Sequence, residues 1–346
     1  MKVCHVVGSI RVPFDEGTSK SVVKITEKMA EKGHEAVILT RPNPKIKEDQ
    51  KLQDLEIIEQ DLSLKNFFNI KKKLKELNPD IVHVHTSNPL MALYISKTHK
   101  RTVWTAPSFR GTKKTVKMWK YFSNNQEVLA TSKKVVKKIP GEVEVVSYGI
   151  DTEKYSCTRK PELKEDLKIM FMSSPKEKRG FFAAIKIVKE MSEEKSPKFR
   201  VAVRDKKNRV KKAEKIIEKE GLSEITEVTG FVENLPEYFN EVDIVLYPVK
   251  SSSGMTSPPL ITLEAMSCGR ITVCTDVKDF KEVIEDDKGG ILYSYGEEEK
   301  VADRILSLTE EKVEKMSEKA QEKIYREYSL DNTVDRYFES YRELMN

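Results

Sequence analysis

Short apolar runs alternate with longer stretches of helical periodicity along almost the whole chain, and this alternation restricts the fold more than any other feature. Val3–Val7, Ala36–Leu39, Ile57–Ile58, Ile81–His85, Thr102–Thr105, Val128–Ala130 and Val143–Val146 read as strands. Between them, Ser19–Lys32, Leu64–Leu77, Leu90–Ile95 and a stretch from Ser132 carry apolar residues at helical spacing, and Gly33 is placed to end the first helix. Alternation of this kind builds a parallel sheet covered by helices, with functional loops at the carboxyl ends of the strands.

The pattern stops at the polar stretch Asp151–Asp166, which contains Pro161, and then restarts. Leu167–Met172, Phe199–Val203, Ile225–Thr229, Ile244–Tyr247, Ile271–Cys274 and Ile291–Tyr293 are the second set of strands, with helices over Phe181–Met191 and Val210–Ile217. A chain of 346 residues has room for two cores. The fold class is therefore α/β, with two doubly wound, Rossmann-like parallel-sheet domains. A last helix, about Asp331 to Leu344, is expected to be capped by Asp331 and has Val334, Tyr337, Phe338 and Tyr341 on one face.

Several function classes are disfavoured. No Gly-x-Gly-x-x-Gly turn follows the first strand, which argues against a nicotinamide or flavin enzyme. Cys4, Cys157, Cys268 and Cys274 are scattered and read as core thiols in a reducing compartment. No His, Cys, Asp or Glu cluster has metal-ligand spacing in the sequence, so no metal is expected. Nothing approaches the roughly 18 apolar residues of a membrane span, and the first residues read as a strand rather than a signal sequence. The expected location is the cytoplasm, at most peripheral at the inner face of a membrane.

Charge is uneven. The chain carries +6 overall, but residues 1–150 are strongly basic and the remainder is mildly acidic. A basic first half fits an anionic partner such as a lipid headgroup, a lipid-linked phosphate or nucleic acid; solvated lysine-rich helices account for it equally well. Arg110–Phe122 interleaves Arg110, Lys113, Lys114, Lys117 and Lys120 with Val116, Met118, Trp119, Tyr121 and Phe122. It reads either as a helix lying on an anionic membrane or as an amphipathic helix with its aromatic residues in the core. No nucleic-acid-binding module accompanies it, so nucleic acid is not an expected partner.

The chemistry concentrates at Thr256-Ser-Pro-Pro-Leu260-Ile-Thr-Leu-Glu264-Ala-Met-Ser-Cys-Gly269, which reads as loop and helix before the strand at Ile271. A helix starting at such a loop offers free amide hydrogens and the positive end of its dipole to a phosphate. Pro258 and Pro259 have no amide hydrogen, so the first donors are Leu260, Ile261 and Thr262. A carboxylate one turn further in, Glu264, suits sugar hydroxyls. In the first half, four strand-end candidates stand out: Gly17-Thr18, His85-Thr86, Ala106-Pro107-Ser108 and Tyr148-Gly149. His85 reads either as facing a reaction centre or as a hydrogen-bonded structural residue. His5 is expected to pack in the core, and His34 and His99, near helix ends, to be exposed.

Thr256–Gly269 resembles the donor site of retaining glycosyltransferase family 4, usually Glu-Gly-Phe-Gly-Leu, three residues, then Glu-Ala-Met-Ala-Cys-Gly. Leu260, Glu264-Ala265-Met266, Cys268 and Gly269 match; Thr256 stands at the first Glu, and Pro258-Pro259 replace Phe-Gly. Asp15-Glu16-Gly17-Thr18 is similar to the family's first glycine-rich loop, Asp80–His85 to Asp-Val-Val-His-x-His, and Val145–Asp151 to Val-Ile-Pro-Asn-Gly-Val-Asp. Met172–Gly180 resembles the phosphate loop Gly-Arg-Leu-Ser-Pro-Glu-Lys-Gly, with Arg179 at the Lys and Ser174 at the Arg, and Val228–Val232 resembles Leu-Gly-Phe-Val. Where the family has Thr-x-His-Gly, this chain has Thr105-Ala-Pro107-Ser, which keeps a carbonyl and loses the imidazole.

The resemblance implies the GT-B architecture: an acceptor-side domain over residues 1–160, a donor domain over 161–329, the two facing across a cleft, and a helix over 330–346 crossing back. It implies a nucleotide-diphosphate sugar as co-substrate, no cofactor, and a glycan or lipid-linked acceptor. The donor would be held by Gly17, Thr18, Lys178, Arg179, Phe231, Thr256, Leu260, Ile261, Thr262 and Glu264. The Pro107 carbonyl and His85 would lie on the catalytic side. The alternative is a non-catalytic homologue that binds a nucleotide, a lipid phosphate or a partner enzyme.

Overall fold

The structure, a computed structural model, describes residues 1–12, 17–112, 115, 127–203, 208–252 and 255–346. Most of the Arg110–Phe122 stretch and the Asp15-Glu16 pair lie outside the described residues. The chain divides into two compact units. The first comprises Met1–Asp151, Gly254–Leu260 and Tyr328–Asn346, and the second comprises Thr152–Ser253 and Ile261–Glu327.

The first unit holds β1 (Lys2–Val7), β2 (Glu35–Thr40), β3 (Glu56–Glu59), β4 (Ile81–His85), β5 (Thr102–Ala106), β6 (Glu127–Ala130) and β7 (Glu144–Val145). They form one parallel sheet in the order β3-β2-β1-β4-β5-β6-β7. The order reverses between β1 and β4, which makes that pair's carboxyl edge the switch point where ligands of doubly wound folds bind. β1 explains why both faces are covered. Cys4 and Val6 point into a core with Val82, Val84 and Leu39, closed by Ile70 and Leu74 of α2 (Phe67–Leu77) and by Ile95 of α3 (Pro89–Ser96). Val7 points the other way, against Val22 and Val23 of α1 (Gly17–Glu31).

The second unit repeats the plan with β8 (Lys168–Met172), β9 (Lys198–Ala202), β10 (Thr226–Thr229), β11 (Ile244–Tyr247), β12 (Ile271–Thr275) and β13 (Ile291–Tyr293), in the order β10-β9-β8-β11-β12-β13. Its switch point lies between β8 and β11. A single core joins Ile169 and Phe171 to Phe181, Ile187, Phe199, Ile244, Val273 and Val301. Each such side chain, fully buried, contributes about 1.5–3 kcal/mol.

Part of the expected interdomain linker is fixed to this second unit. Arg159 pairs with Asp243 at 2.7 Å, and the Asp243 carboxylate also accepts from the amides of Glu162 and Lys168. Arg270, fully buried, donates to the carbonyls of Cys268, Val242 and Arg159.

The last helix, Leu330–Met345, packs within the first unit. Its cap differs from the expected one. The Ser329 side chain accepts from the Asn332 amide, and Asp331 lies inside the first turn. There Asp331 faces Lys28 of α1 and Lys32 just past its end. The helix starts directly over Gly149, where an added Cβ would sit 2.5 Å from the Leu330 Cα, so only glycine permits the approach. Val334, Tyr337, Phe338 and Tyr341 are buried, as their spacing predicts. His34 and His99 are half-buried rather than exposed, because His34 stacks on Phe338 with ring centroids 4.2 Å apart and His99 folds onto the Arg101 backbone.

Candidate functional site

In the first unit, the polar residues gathered at the carboxyl ends of the strands are joined to a segment distant in sequence. Gly17 opens α1, and a Cβ there would lie 3.0 Å from Thr256 Cγ2 and 3.2 Å from Leu260 Cδ1. Thr18, the next residue, is buried. The Ser257 amide donates to the Pro107 carbonyl at 3.3 Å, and the Thr131 hydroxyl, 3.3 Å from that same oxygen, also reaches the Ser257 carbonyl. The Ser132 and Ser257 hydroxyls are 2.8 Å apart. The Thr256–Leu260 loop is thus held by the ends of β5 and β6 and by the start of α1.

Pro107 presents its carbonyl as the resemblance implies, but that oxygen accepts from the loop. Thr131, Ser132 and Ser257 were not singled out in the sequence. The signal was present: Thr131-Ser132 directly follows a strand, in the position where ligand loops begin. The loop after β4 is tied down as well, through Arg110 N–H to the Ser87 carbonyl at 2.9 Å, Ser87 to Ser108 at 2.7 Å, and Trp104 Nε1–H to the Thr86 carbonyl at 2.7 Å.

His85 is turned inward, which corrects its reading as a group facing a reaction centre. It is 1% exposed and stacks on His83 at 4.1 Å, beside His5. The parallel register sets His5 opposite His83, and His83 and His85 share a face because they are two residues apart. One ring nitrogen from each lies within 4.8 Å of the others, a grouping of ligand atoms that the sequence spacing did not reveal.

The hydrogen bonds define what this cluster does. His5 Nε2 lies 3.3 Å from the Met29 sulfur, which only accepts, so His5 donates there and accepts at Nδ1. His85 Nε2–H then donates to His5 Nδ1 at 3.0 Å, and the Tyr148 hydroxyl donates to His85 Nδ1 at 3.3 Å. His83 is held separately between Tyr341 at 2.6 Å and Thr105 at 2.7 Å. All six nitrogens are occupied, and among the described residues no carboxylate or thiolate joins them. A cation here would be buried without a counter-charge. The cluster is a chain of neutral imidazoles. Burial holds His5 down at about pH 3 and keeps His83 and His85 well below the ordinary histidine range.

The second unit has its own polar edge. The loop after β8 ends in the short helical turn Glu177–Arg179, followed by Gly180 with φ +81°. Burial pushes the phenol of Tyr247, the last residue of β11, up to about 12, and the positive charge of Arg179 opposes that shift. The turn itself packs on the chain just past β11, where a Cβ added at Gly180 would meet the Pro248 carbonyl, so Arg179 and Gly180 border the β8/β11 switch point. Lys178 is exposed, and Lys250 pairs with Glu177. Phe231, after β10, is 46% exposed. The helix Leu260–Ser267 has Leu260, Ile261 and Thr262 in its first turn and Glu264 buried at 3% exposure one turn in.

Two doubly wound parallel sheets, each with polar groups at its switch point, define a two-domain α/β protein of the GT-B kind. Family models identify it further. One described as Glycosyltransferase Family 4 matches residues 16–154, and one described as Glycosyl transferases group 1 matches residues 158–327. The chain belongs to this glycosyltransferase family.

Comparison with curated proteins finds no match to the sequence. Among solved structures, a glycosyltransferase from Rickettsia africae ESF-5 is similar at a TM-score of 0.86 and 16% identity, over 100% of this chain and 98% of that one. Anabaena Alr3699/HepE in complex with UDP-glucose gives 0.77 and 14%, over 99% and 100%. S. aureus TarM in complex with fondaparinux, alpha-GlcNAc-glycerol and UDP gives 0.73 and 13%, over 99% and 100%. At these identities the likeness establishes the fold.

Proposed function

We propose that this protein is a retaining, hexosyl-type glycosyltransferase that moves a sugar from a nucleoside-diphosphate sugar to a glycan or lipid-linked acceptor at the cytoplasmic face of a membrane. The observation that carries the reading is the second unit's strand-end turn Glu177–Arg179, packed through Gly180 on the chain just past β11, together with the buried Glu264 of the Leu260–Ser267 helix. Glu264 holds the ribose hydroxyls, and Phe231 lies against the base. Arg179 and Lys178, with the amides of Leu260, Ile261 and Thr262, hold the diphosphate. Charge develops on the diphosphate as the glycosidic bond breaks, so cations and amides aimed there lower the barrier. The acceptor oxygen attacks on the face that the diphosphate leaves, and a diphosphate oxygen takes the acceptor proton; neither step uses a metal or a cofactor.

The Pro107 carbonyl, engaged by Ser257 and Thr131, holds the loop in this conformation. This contact, together with Thr256 and Pro258-Pro259 in place of the family residues, favours a second reading: a homologue that binds nucleotide without transferring sugar. Uridine nucleotides are the first to test, because the Anabaena structure contains UDP-glucose. The experiment is a thermal-shift series with UDP, ADP, GDP and their sugars on the wild type and on Glu264→Gln, followed by donor hydrolysis. Stabilisation lost in the variant, with turnover in the wild type, supports transfer. Stabilisation without turnover on any donor supports the second reading, and no stabilisation by any nucleotide overturns both.

A further inference from the structure

We propose that the outer face of Leu64–Lys75, on the first unit, docks onto an anionic membrane surface. Large apolar side chains seldom stand fully in water, yet Phe68 is 79% exposed and Leu64 is 72% exposed. With about 3.6 residues per turn, Leu64, Phe68, Lys71, Lys72 and Lys75 fall along one stripe of this helical segment. The opposite stripe is spent on the core through Ile70 and Leu74. The exposed stripe is therefore not needed to fold the unit.

The apolar end is built rather than frayed. Phe67 lies 5.6 Å from Phe68 and 5.2 Å from Tyr94, ring to ring, and the Tyr94 hydroxyl donates to the Ser63 carbonyl at 3.1 Å. Leu90, one turn before Tyr94 on α3, is 40% exposed. Behind this end the stripe is basic. Lys72 and Lys73 share Glu76, at 4.0 and 3.7 Å, whereas no ion pair among the described residues involves Lys65, Lys71 or Lys75.

Unpaired lysines beside projecting leucine and phenylalanine suit a surface with negative headgroups above an acyl boundary. An acidic protein would match the lysines but gives no reason for apolar groups this exposed at the rim. No helix among the described residues is long and apolar enough to span a bilayer, so the contact is peripheral. It rests on none of the transfer chemistry but deepens the membrane-face part of the proposed function, and it is separate from the Arg110–Phe122 stretch.

The test is co-sedimentation of the full chain with vesicles of phosphatidylcholine alone or mixed with phosphatidylglycerol. The wild type should bind the mixed vesicles, release as salt is raised, and ignore the neutral ones. The double variant Leu64→Ser/Phe68→Ser should bind roughly tenfold more weakly or worse, and Lys71→Glu/Lys75→Glu should abolish the difference between vesicle types. All four positions are exposed, so circular dichroism and melting temperature should not change. Failure of the wild type to bind anionic vesicles, or wild-type binding by both variants, overturns the proposal. So does a self-association that Phe68→Ser abolishes in sedimentation equilibrium, which would assign the face to a second copy.

Discussion

The Tyr341 hydroxyl lies 2.6 Å from Nδ1 of His83, a residue 258 positions earlier in the chain. The C-terminal helix is thereby fastened to the middle of the first sheet by a polar bond inside an apolar contact. Tyr341→Phe removes the hydroxyl and keeps the ring, leaving a buried imidazole nitrogen without a partner. Such a group costs about 1–3 kcal/mol. Denaturant unfolding should show a loss of that size, while Tyr325→Phe, at a 72% exposed position on the preceding helix, should leave the midpoint unchanged.

The histidine chain makes stability depend on pH in a defined direction. His5, His83 and His85 are neutral when folded because burial disfavours their charged forms, but each takes a proton near pH 6.5 when the chain unfolds. The unfolded state therefore binds more protons below that pH, and stability falls as pH falls. The contribution is complete above about pH 6.5 and declines down to the folded value, about 3 for His5. Once its unfolded form is fully protonated each histidine accounts for about 1.4 kcal/mol per pH unit, so the slope for three steepens from about 1 at pH 7 to about 4 near pH 5. His34, also lowered by burial, adds a smaller share of the same sign. Unfolding free energies measured from pH 7 to 5 should show this slope, reduced by about one proton in His5→Gln; a flat profile would refute the neutral chain.

The strands and the parallel sheets were legible in the sequence because a central parallel strand must be apolar on both faces, as Val3–Val7 and Ile271–Cys274 are. Glu264 and Arg179 were singled out by the family motifs that their segments resemble, not by the strand pattern. The histidine cluster was not. His5 and His83 become neighbours only through the register of β1 on β4, which the local pattern does not encode. The partners of Thr256–Leu260 were hidden for a related reason: much of the chain flanking it lies in the second unit, but its hydrogen bonds run to Pro107, Thr131 and Ser132 in the first. The long charged helix Glu310–Tyr328 escaped notice because only a thin stripe, including Val313, Met316 and Ile324, is apolar.

Thr131 should control the Thr256–Leu260 loop. Its hydroxyl bridges the Pro107 and Ser257 carbonyls, and Thr131→Val keeps the shape while removing the donor. The Ser257 carbonyl would then be left without this partner, at a cost of about 1–2 kcal/mol. Limited proteolysis should cut the variant faster near residue 257, and Ser132→Ala, which loses only the contact between hydroxyls, should have the smaller effect. Equal cleavage of all three proteins would show that Thr131 does not hold the loop.

Arg270 is the more severe case. Its guanidinium is fully buried, and among the described residues its hydrogen bonds go to carbonyls and to the Cys157 sulfur rather than to a carboxylate. Two features offset the cost of burying that charge. The Cys268 carbonyl stands at the carboxyl end of the Leu260–Ser267 helix, where the dipole favours a cation. The planar fork also reaches Val242 and Arg159 in other directions, which binds the 157–159 segment to β12 and the β11 approach. A lysine ammonium is a point charge and cannot span these acceptors. Arg270→Lys should therefore lose roughly as much as Arg270→Met by denaturant titration, since the Cys268, Val242 and Arg159 carbonyls then lack a donor at about 1–3 kcal/mol each. A lysine variant within about 1 kcal/mol of wild type would mean that the charge at the helix end, rather than the fork, holds the segment in place.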